Sequence, residues 1–239
     1  MLEIETFANA KQITIEKENN LFIIEENDGL ILIDTSVESE QINDVIALIK
    51  EDGRPLKAIA ITHSHDDHLG GLIAFKQAFP DTPFLFPERE YQLILKKELL
   101  PSDKQVPLKE GIPNQLPFVP DKLLVAGDKV GELEVIFTPG HTPGHICFHN
   151  PAKHYLLVGD VLQTLGGAAI CGVHRDAFPK PARLNWDLAL SIDMVKGFID
   201  LDLDYIGTGH GEVMTRPNDV LPLTITEAEA LISVAHNAS

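Results

Sequence analysis

Ten consecutive residues, Thr62-His63-Ser64-His65-Asp66-Asp67-His68-Leu69-Gly70-Gly71, constrain the fold of this chain more than any other stretch. Three imidazoles and two carboxylates fall within six positions, directly after the apolar run 56–61. That places them where a buried strand ends and a loop begins. Buried charge without a partner is costly to desolvate, and a metal ion is the partner this donor set suits. His63 and His65 alternate as in extended backbone and can point the same way, whereas Asp67 and His68 lie on the turn and reach a second point. One loop can therefore serve two cations, and the rest of the chain must supply the missing ligands.

Upstream, residues 1–35 read as strands. Leu2 and Ile4 alternate with Glu3 and Glu5, Ile13 and Ile15 with Thr14 and Glu16, and the runs 21–24 and 30–33 flank Asn27-Asp28-Gly29, a tight-turn signal. Asp34 follows the second run. Ile42, Val45, Ile46 and Ile49 recur at helical spacing within 38–50, with Ser36 as the expected N-cap and Gly53 and Pro55 as the stop. After the His loop, 69–79 reads as a helix whose first turn carries Gly70 and Gly71, expected to let backbone approach the ligands closely. A short strand at 83–86 and a helix at 88–99 follow. Residues 101–120 hold Pro101, Pro107, Pro113, Pro117 and Pro120, so they read as irregular and suit a flap.

Strands resume at 123–125 and 133–137, the latter running into Thr138-Pro139-Gly140-His141-Thr142-Pro143-Gly144-His145. A hairpin, 146–148 with 155–158, ends in Asp160 as the earlier one ends in Asp34. This echo predicts a two-layered sheet with pseudo-symmetric halves. Residues 163–185, rich in Gly, Pro and Ala, read as a loop over the mouth of the site, with His174 and Arg175 as possible substrate contacts. A helix at 186–200 carries Leu188, Ile192, Val195 and Ile199 on one stripe. A strand at 205–208 runs into Gly209-His210-Gly211-Glu212, and a helix at 226–235 closes the chain. His145, His149, His154 and His236 read as ordinary hydrogen-bonded or surface residues, and Cys147 and Cys171 as free thiols.

His63, His65, Asp67, His68, His141, Asp160 and His210 thus all sit just after a predicted strand, as a site along one edge of a β-sandwich requires. Zinc favours imidazole and carboxylate donors, and five histidines with two aspartates are enough for two metals. The 239 residues carry 19 Lys+Arg against 36 Asp+Glu, a formal charge of −17, with no basic stripe to hold a phosphate backbone. Nucleic acid is not an expected partner. Neither is a membrane, because no window approaches the roughly 20 apolar residues of a span. With no leader pattern at the N-terminus, the expected location is cytoplasmic.

The run Thr-His-Ser-His-Asp-Asp-His, with the later Pro-Gly-His, Gly-Asp and Gly-His-Gly, resembles the metallo-β-lactamase superfamily of hydrolases. The resemblance spans about residues 20–212, with motifs within 60–212, in one domain covering 1–239. It implies an α+β fold, an αββα four-layer sandwich. It also implies that His63, His65 and His141 hold one metal, that Asp67, His68 and His210 hold a second, and that Asp160 bridges both. Asp34 matches an aspartate that supports the His loop by hydrogen bonds. The expected cofactors are two divalent ions, zinc first, with iron or manganese as the other candidates. Two such ions roughly 3.5–4 Å apart acidify a shared water, so hydroxide can attack a carbonyl, with Asp67 orienting it and passing on its proton.

The fold alone does not set the substrate. A small ester, lactone or thioester is the expected class. Glyoxalase II-type thioester hydrolysis suits the Gly-rich stretch after Asp160, although only 29 residues follow His210, short for the helical domain that binds glutathione in that group. Lactonases of similar size commonly carry a tyrosine near the position of Gln163. Other readings are a mononuclear iron persulfide dioxygenase, a β-lactam hydrolase, a non-catalytic metal-binding scaffold and, in assembly, a homodimer.

Overall fold

Strand alternation decides the layering. In β3 (Asn19–Glu26) and β4 (Gly29–Ile33), Leu21, Ile23, Leu30 and Leu32 pack on one face while Phe22, Ile24, Ile31 and Ile33 pack on the other. Both faces are apolar, so this sheet must be covered twice. The computed structural model, which describes residues 2–100 and 102–237, shows how. Pro101 and the side chain of His236 lie outside the described residues.

The first sheet has the order β1 (Glu3–Phe7), β2 (Ala10–Ile15), β3, β4, β5 (Leu56–Ala60), β6 (Phe84–Pro87) and β7 (Lys122–Leu124). Its first four strands run antiparallel, and β4 to β7 run parallel. One face is covered by α1 (Gln41–Asp52), through Ile42, Val45, Ile46 and Ile49, and by α3 (Leu72–Ala78), through Leu72 and Phe75. The other face meets the second sheet, where Phe7, Phe22 and Ile33 pack with Val135, Phe148, Tyr155 and Leu157.

The second sheet has the spatial order β15 (Met214–Thr215), β14 (Tyr205–Gly207), β11 (Tyr155–Leu157), β10 (Ile146–Asn150), β9 (Leu133–Phe137) and β8 (Lys129–Val130). Its outer face presents Cys147, Leu156, Val158 and Ile206 to α6 (Leu188–Phe198) and α7 (Pro217–Asn237), through Ile192, Val195, Leu221 and Ile225. Three apolar seams therefore separate four layers, helix, sheet, sheet, helix. The remaining elements are α2 (Asp66–Leu69), α4 (Glu88–Lys96), the hairpin of β12 (Leu162–Gln163) and β13 (Ala169–Ile170), and α5 (Lys180–Leu184). None of the described helices is long and apolar enough to cross a membrane.

Several expectations need correction. Ser36 is no cap: it is buried at φ +60°, and its hydroxyl donates to Asn19 O at 3.4 Å. The serine at the start of α1 is Ser39, whose Oγ accepts from Gln41 N at 3.2 Å. The helix expected at 69–79 is α3, which starts only at Leu72, and the His loop itself forms a separate short helix, α2, that ends at Leu69 before Gly70 and Gly71. A Cβ on Gly70 would collide with the backbone of Val37 and Glu38, and one on Gly71 with Thr35 O. What these glycines admit is the segment after Asp34 rather than a metal ligand. Ile199 is 40% exposed, and Phe198 takes its place on the buried stripe. The closing helix begins at Pro217, well before 226.

Candidate metal centre

Parallel pairing of β4 with β5 and of β11 with β14 sends these strands out of the fold at common edges, and β9 shares the direction of β11 because both pair antiparallel with β10. Asp34 follows β4, the His63–His68 loop follows β5, His141 follows β9, Asp160 follows β11 and His210 follows β14. The seven residues picked from the sequence converge there. All are buried except Asp67, whose side chain is 15% exposed.

Two donor sets share one carboxylate. His65 Nδ1 lies 3.1 Å from His63 Nε2 and 2.9 Å from His141 Nε2. In the second set, Asp67 Oδ1 is 4.0 Å from His68 Nε2 and Asp67 Oδ2 is 3.7 Å from His210 Nε2. Asp160 stands between: its Oδ2 is 3.4 Å from His141 Nε2, and its Oδ1 is 3.3 Å from His68 Nε2 and 3.2 Å from His210 Nε2. These approaches are misaligned for hydrogen bonding, so Asp160 Oδ1, His68 Nε2 and His210 Nε2 stay without a hydrogen-bond partner. Buried polar atoms are seldom left so. Converging, unpaired imidazole and carboxylate atoms are what divalent cations require, and the residues fit that role. The groupings His63-His65-His141 and Asp67-His68-His210 each bring three donor atoms within 4.8 Å of one another, as does His63-His68-Asp160.

The far atoms of these side chains are anchored. Asp34, at φ +59°, receives Thr62 N at 2.8 Å and the Thr62 hydroxyl, and its other oxygen meets His68 Nδ1 at 2.8 Å. That contact leaves His68 Nε2 facing the cluster. His210 Nδ1 donates to Glu18 O at 2.8 Å, and His63 Nδ1 meets Thr62 Oγ1 at 3.1 Å. Sequence reasoning missed two further anchors. Glu90, buried on α4, accepts Ser64 N at 3.0 Å with one oxygen and Gly144 N at 2.8 Å with the other, tying the His63–His65 loop to the loop behind His141. A Cβ on Gly144 would strike the α4 backbone, so only glycine fits. The signal was a carboxylate on the face of 88–99 that also carries Leu93 and Ile94. His145, read as an ordinary hydrogen-bonded residue, is buried; its Nε2 accepts Asp160 N at 3.2 Å, and its Nδ1 meets Thr138 Oγ1 at 2.9 Å.

The protein groups alone divide the cluster electrically. Burial holds His63 and His141 well below the ordinary imidazole range and lowers His65, in each case against nearby carboxylates. Burial also opposes charge on His68 and His210, but Asp34 and Asp160 hold His68 well above the usual value, and Asp160 with Asp67 raises His210. Asp160 is held well below the carboxylate range by His210 and His68 in spite of its burial. Cys171 lies beside His141 and Asp160, and burial keeps its thiol well above the usual value.

Two segments frame the opening. Within 102–120, Gly111 lies against the His65 ring, and Val106 O accepts from Trp186 Nε1 at 2.9 Å. Leu108, Lys109 and Ile112 close over His65 and His141, leaving a space of about 10 Å³. On the other side, Asp67 faces a cavity of about 450 Å³ that α5 borders. His174 and Arg175 are not brought to the centre. His174 is exposed beside Asp176 at 3.1 Å, and Arg175 is engaged by Glu227 of α7 at 2.6 Å. Gln163 is buried, with neither amide atom hydrogen-bonded.

Comparison with known proteins agrees with this geometry. The family profile described as the metallo-beta-lactamase superfamily matches residues 16–210. The uncharacterized protein YobT of Bacillus subtilis is 33% identical over 211 residues, 88% of this chain and 90% of that one. The hydroxyacylglutathione hydrolase GloC of Haemophilus influenzae is 32% identical over 173 residues, 70% of this chain and 74% of that one. Among solved structures, the BLEG-1 B3 metallo-beta-lactamase superposes with a TM-score of 0.67 at 22% identity, covering 90% of this chain and 99% of that one, a likeness of fold. Together with the order of the five motifs along the sequence, these matches show that the chain belongs to the metallo-beta-lactamase superfamily.

Proposed function

We propose that this chain is a hydrolase that holds two divalent metal ions, zinc by its donor set, and cleaves a small ester, lactone or thioester. The observation that carries the reading is Asp160, whose two oxygens face two different donor sets. Relatives named hydroxyacylglutathione hydrolase and probable metallo-hydrolase support hydrolysis. His63, His65 and His141 would hold one ion, Asp67, His68 and His210 the other, with Asp160 between.

Bound there, the ions would supply Lewis acidity and make water acidic enough to attack a carbonyl near neutral pH. The remaining work falls to the chain. Asp67 is the carboxylate of the cluster that reaches the large cavity, so it orients the attacking water and holds its proton on a carboxylate oxygen. Asp34 and Glu18 O fix the tautomers of His68 and His210. The 102–120 segment keeps bulk water from His65 and His141. The test is Asp160→Ala assayed with added metal against a lactone, a thioester and a β-lactam. Most turnover and part of the bound metal should be lost with the fold retained, and unchanged turnover would rule out the bridging role.

A further inference from the structure

The large cavity beside Asp67 has an uneven wall. Asp66 and Glu38 stand on one side; on the other, α5 contributes Lys180, Arg183 and Leu184. In a chain of net charge −17, cations have carboxylates in easy reach. Arg54, Arg89, Arg175 and Arg216 are each paired with one. Arg183, exposed on α5, is the one arginine whose side chain, among the described residues, makes no ion pair and no hydrogen bond to the protein. Lys180 likewise pairs with no carboxylate among them; its ammonium lies 5.9 Å from the Phe178 ring centroid. Phe178 packs in turn on the His210 ring, with centroids 4.5 Å apart. One cation is thus connected through a single aromatic ring to the second donor set, and the other lines the same space as Asp67.

The space on the opposite side is far smaller. Leu184 borders both spaces, and the one over His65 and His141 holds about 10 Å³ against about 450 Å³ on the Asp67 side. A substrate whose scissile carbonyl reaches the cluster through the larger cavity lays the rest of its body along α5. We infer that Lys180 and Arg183 form an anchoring subsite for a carboxylate remote from the scissile bond, so that the substrate is an anionic acyl compound and α5 sets its specificity. Arg183 supplies the planar fork that a carboxylate fits, and Lys180 a point charge beside it. Acidic Glu38 and Asp66 across the cavity repel the same group and so fix which way round it lies. The inference rests on the hydrolase reading for its scissile bond, but not for its anion.

The experiment separates the two. Calorimetry on the zinc-loaded protein would measure binding of succinate, glutarate and adipate against butyrate, all of which offer one carboxylate to the metals while only the diacids offer a second. In parallel, turnover would be measured for the monophenyl esters of the three diacids and for phenyl butyrate. An exposed ion pair alone contributes little, but two cations partly covered by the ligand should give the best-fitting diacid roughly tenfold tighter binding than butyrate. The same preference should appear in KM more than in kcat. Arg183→Ala should bring it close to unity, Arg183→Glu should reverse it, and Arg183→Lys should restore part of it, with the circular dichroism spectrum unchanged. Equal binding of diacids and butyrate by the wild type, or a preference that survives Arg183→Ala, overturns the inference even if every ester is hydrolysed. A binding preference without hydrolysis leaves the anchor standing and removes the hydrolase reading.

Discussion

Glu90 is fully buried, and its charge is tolerated because each oxygen accepts a backbone N–H, from Ser64 and from Gly144. Those two amides belong to the two loops that carry His63, His65 and His141. In Glu90→Gln one amide faces an NH₂ instead of an acceptor, and the loops are no longer held at a common distance. Zinc affinity should fall roughly 10–100-fold, the usual cost of disturbing groups that orient ligands; competition with a chromogenic chelator measures it, and an unaltered affinity would show the clamp to be irrelevant. His145 gives a pH prediction. Burial pushes its pKa down to about 3, against 6.5 for the exposed ring. Below 6.5 the unfolded chain therefore binds a proton that the folded chain refuses. The stability contributed by neutral His145 is complete above 6.5 and is lost as pH falls towards 3. In metal-free protein, the stability gap between wild type and His145→Gln should narrow on acidification, by at most about 1.4 kcal/mol per pH unit. Denaturant titrations at several pH values would show it, and a constant gap would contradict the assigned protonation.

At the scale of elements, the segment 102–120 is held over the first donor set by Trp186 Nε1 to Val106 O, by Lys104 to Asp187 at 3.0 Å, by the Arg89–Asp103 ion pair and by Lys97 to Pro113 O. Trp186→Phe removes the donor and keeps an aromatic ring. Limited proteolysis should then cut within 102–120 faster, while global stability changes by only about 1 kcal/mol; equal cutting rates would mean that the segment is held otherwise. The hairpins into Asp34 and Asp160 and the loops around His63 and His141 were legible in the sequence, because alternation and turn residues mark strand ends and the donors stand directly behind them. What escaped was set by tertiary contact. The helix expected at 69–79 begins only at Leu72, and Gly70 and Gly71 before it are where the 35–38 backbone comes too close for any Cβ. Strands β8 and β15, two residues each, are too short to show a period. Glu90 resembled any glutamate of an amphipathic helix, and only packing of α4 against the loops behind His63 and His141 gives it a role. Arg175 looked free to meet a substrate until α7, distant in sequence, placed Glu227 beside it.

The whole molecule joins two sheets whose strand ends together deliver both donor sets and the carboxylate between them. His63, His65, Asp67 and His68 come from the first sheet, and His141, Asp160 and His210 from the second. Bound cations would therefore cross-link the sandwich. Because ions at this site bind the folded chain better than the unfolded one, free zinc at 1,000 times its dissociation constant should add about 4 kcal/mol of stability per site; a chelator should reverse the gain, and thermal unfolding with and without it would check this. The central claim is that Asp160 serves two metal sites at once. Elemental analysis of protein purified without chelators and reconstituted with zinc tests it most directly. About two zinc ions per chain in the wild type and fewer in Asp160→Ala are predicted, whereas a wild type that saturates at one ion per chain would contradict the account.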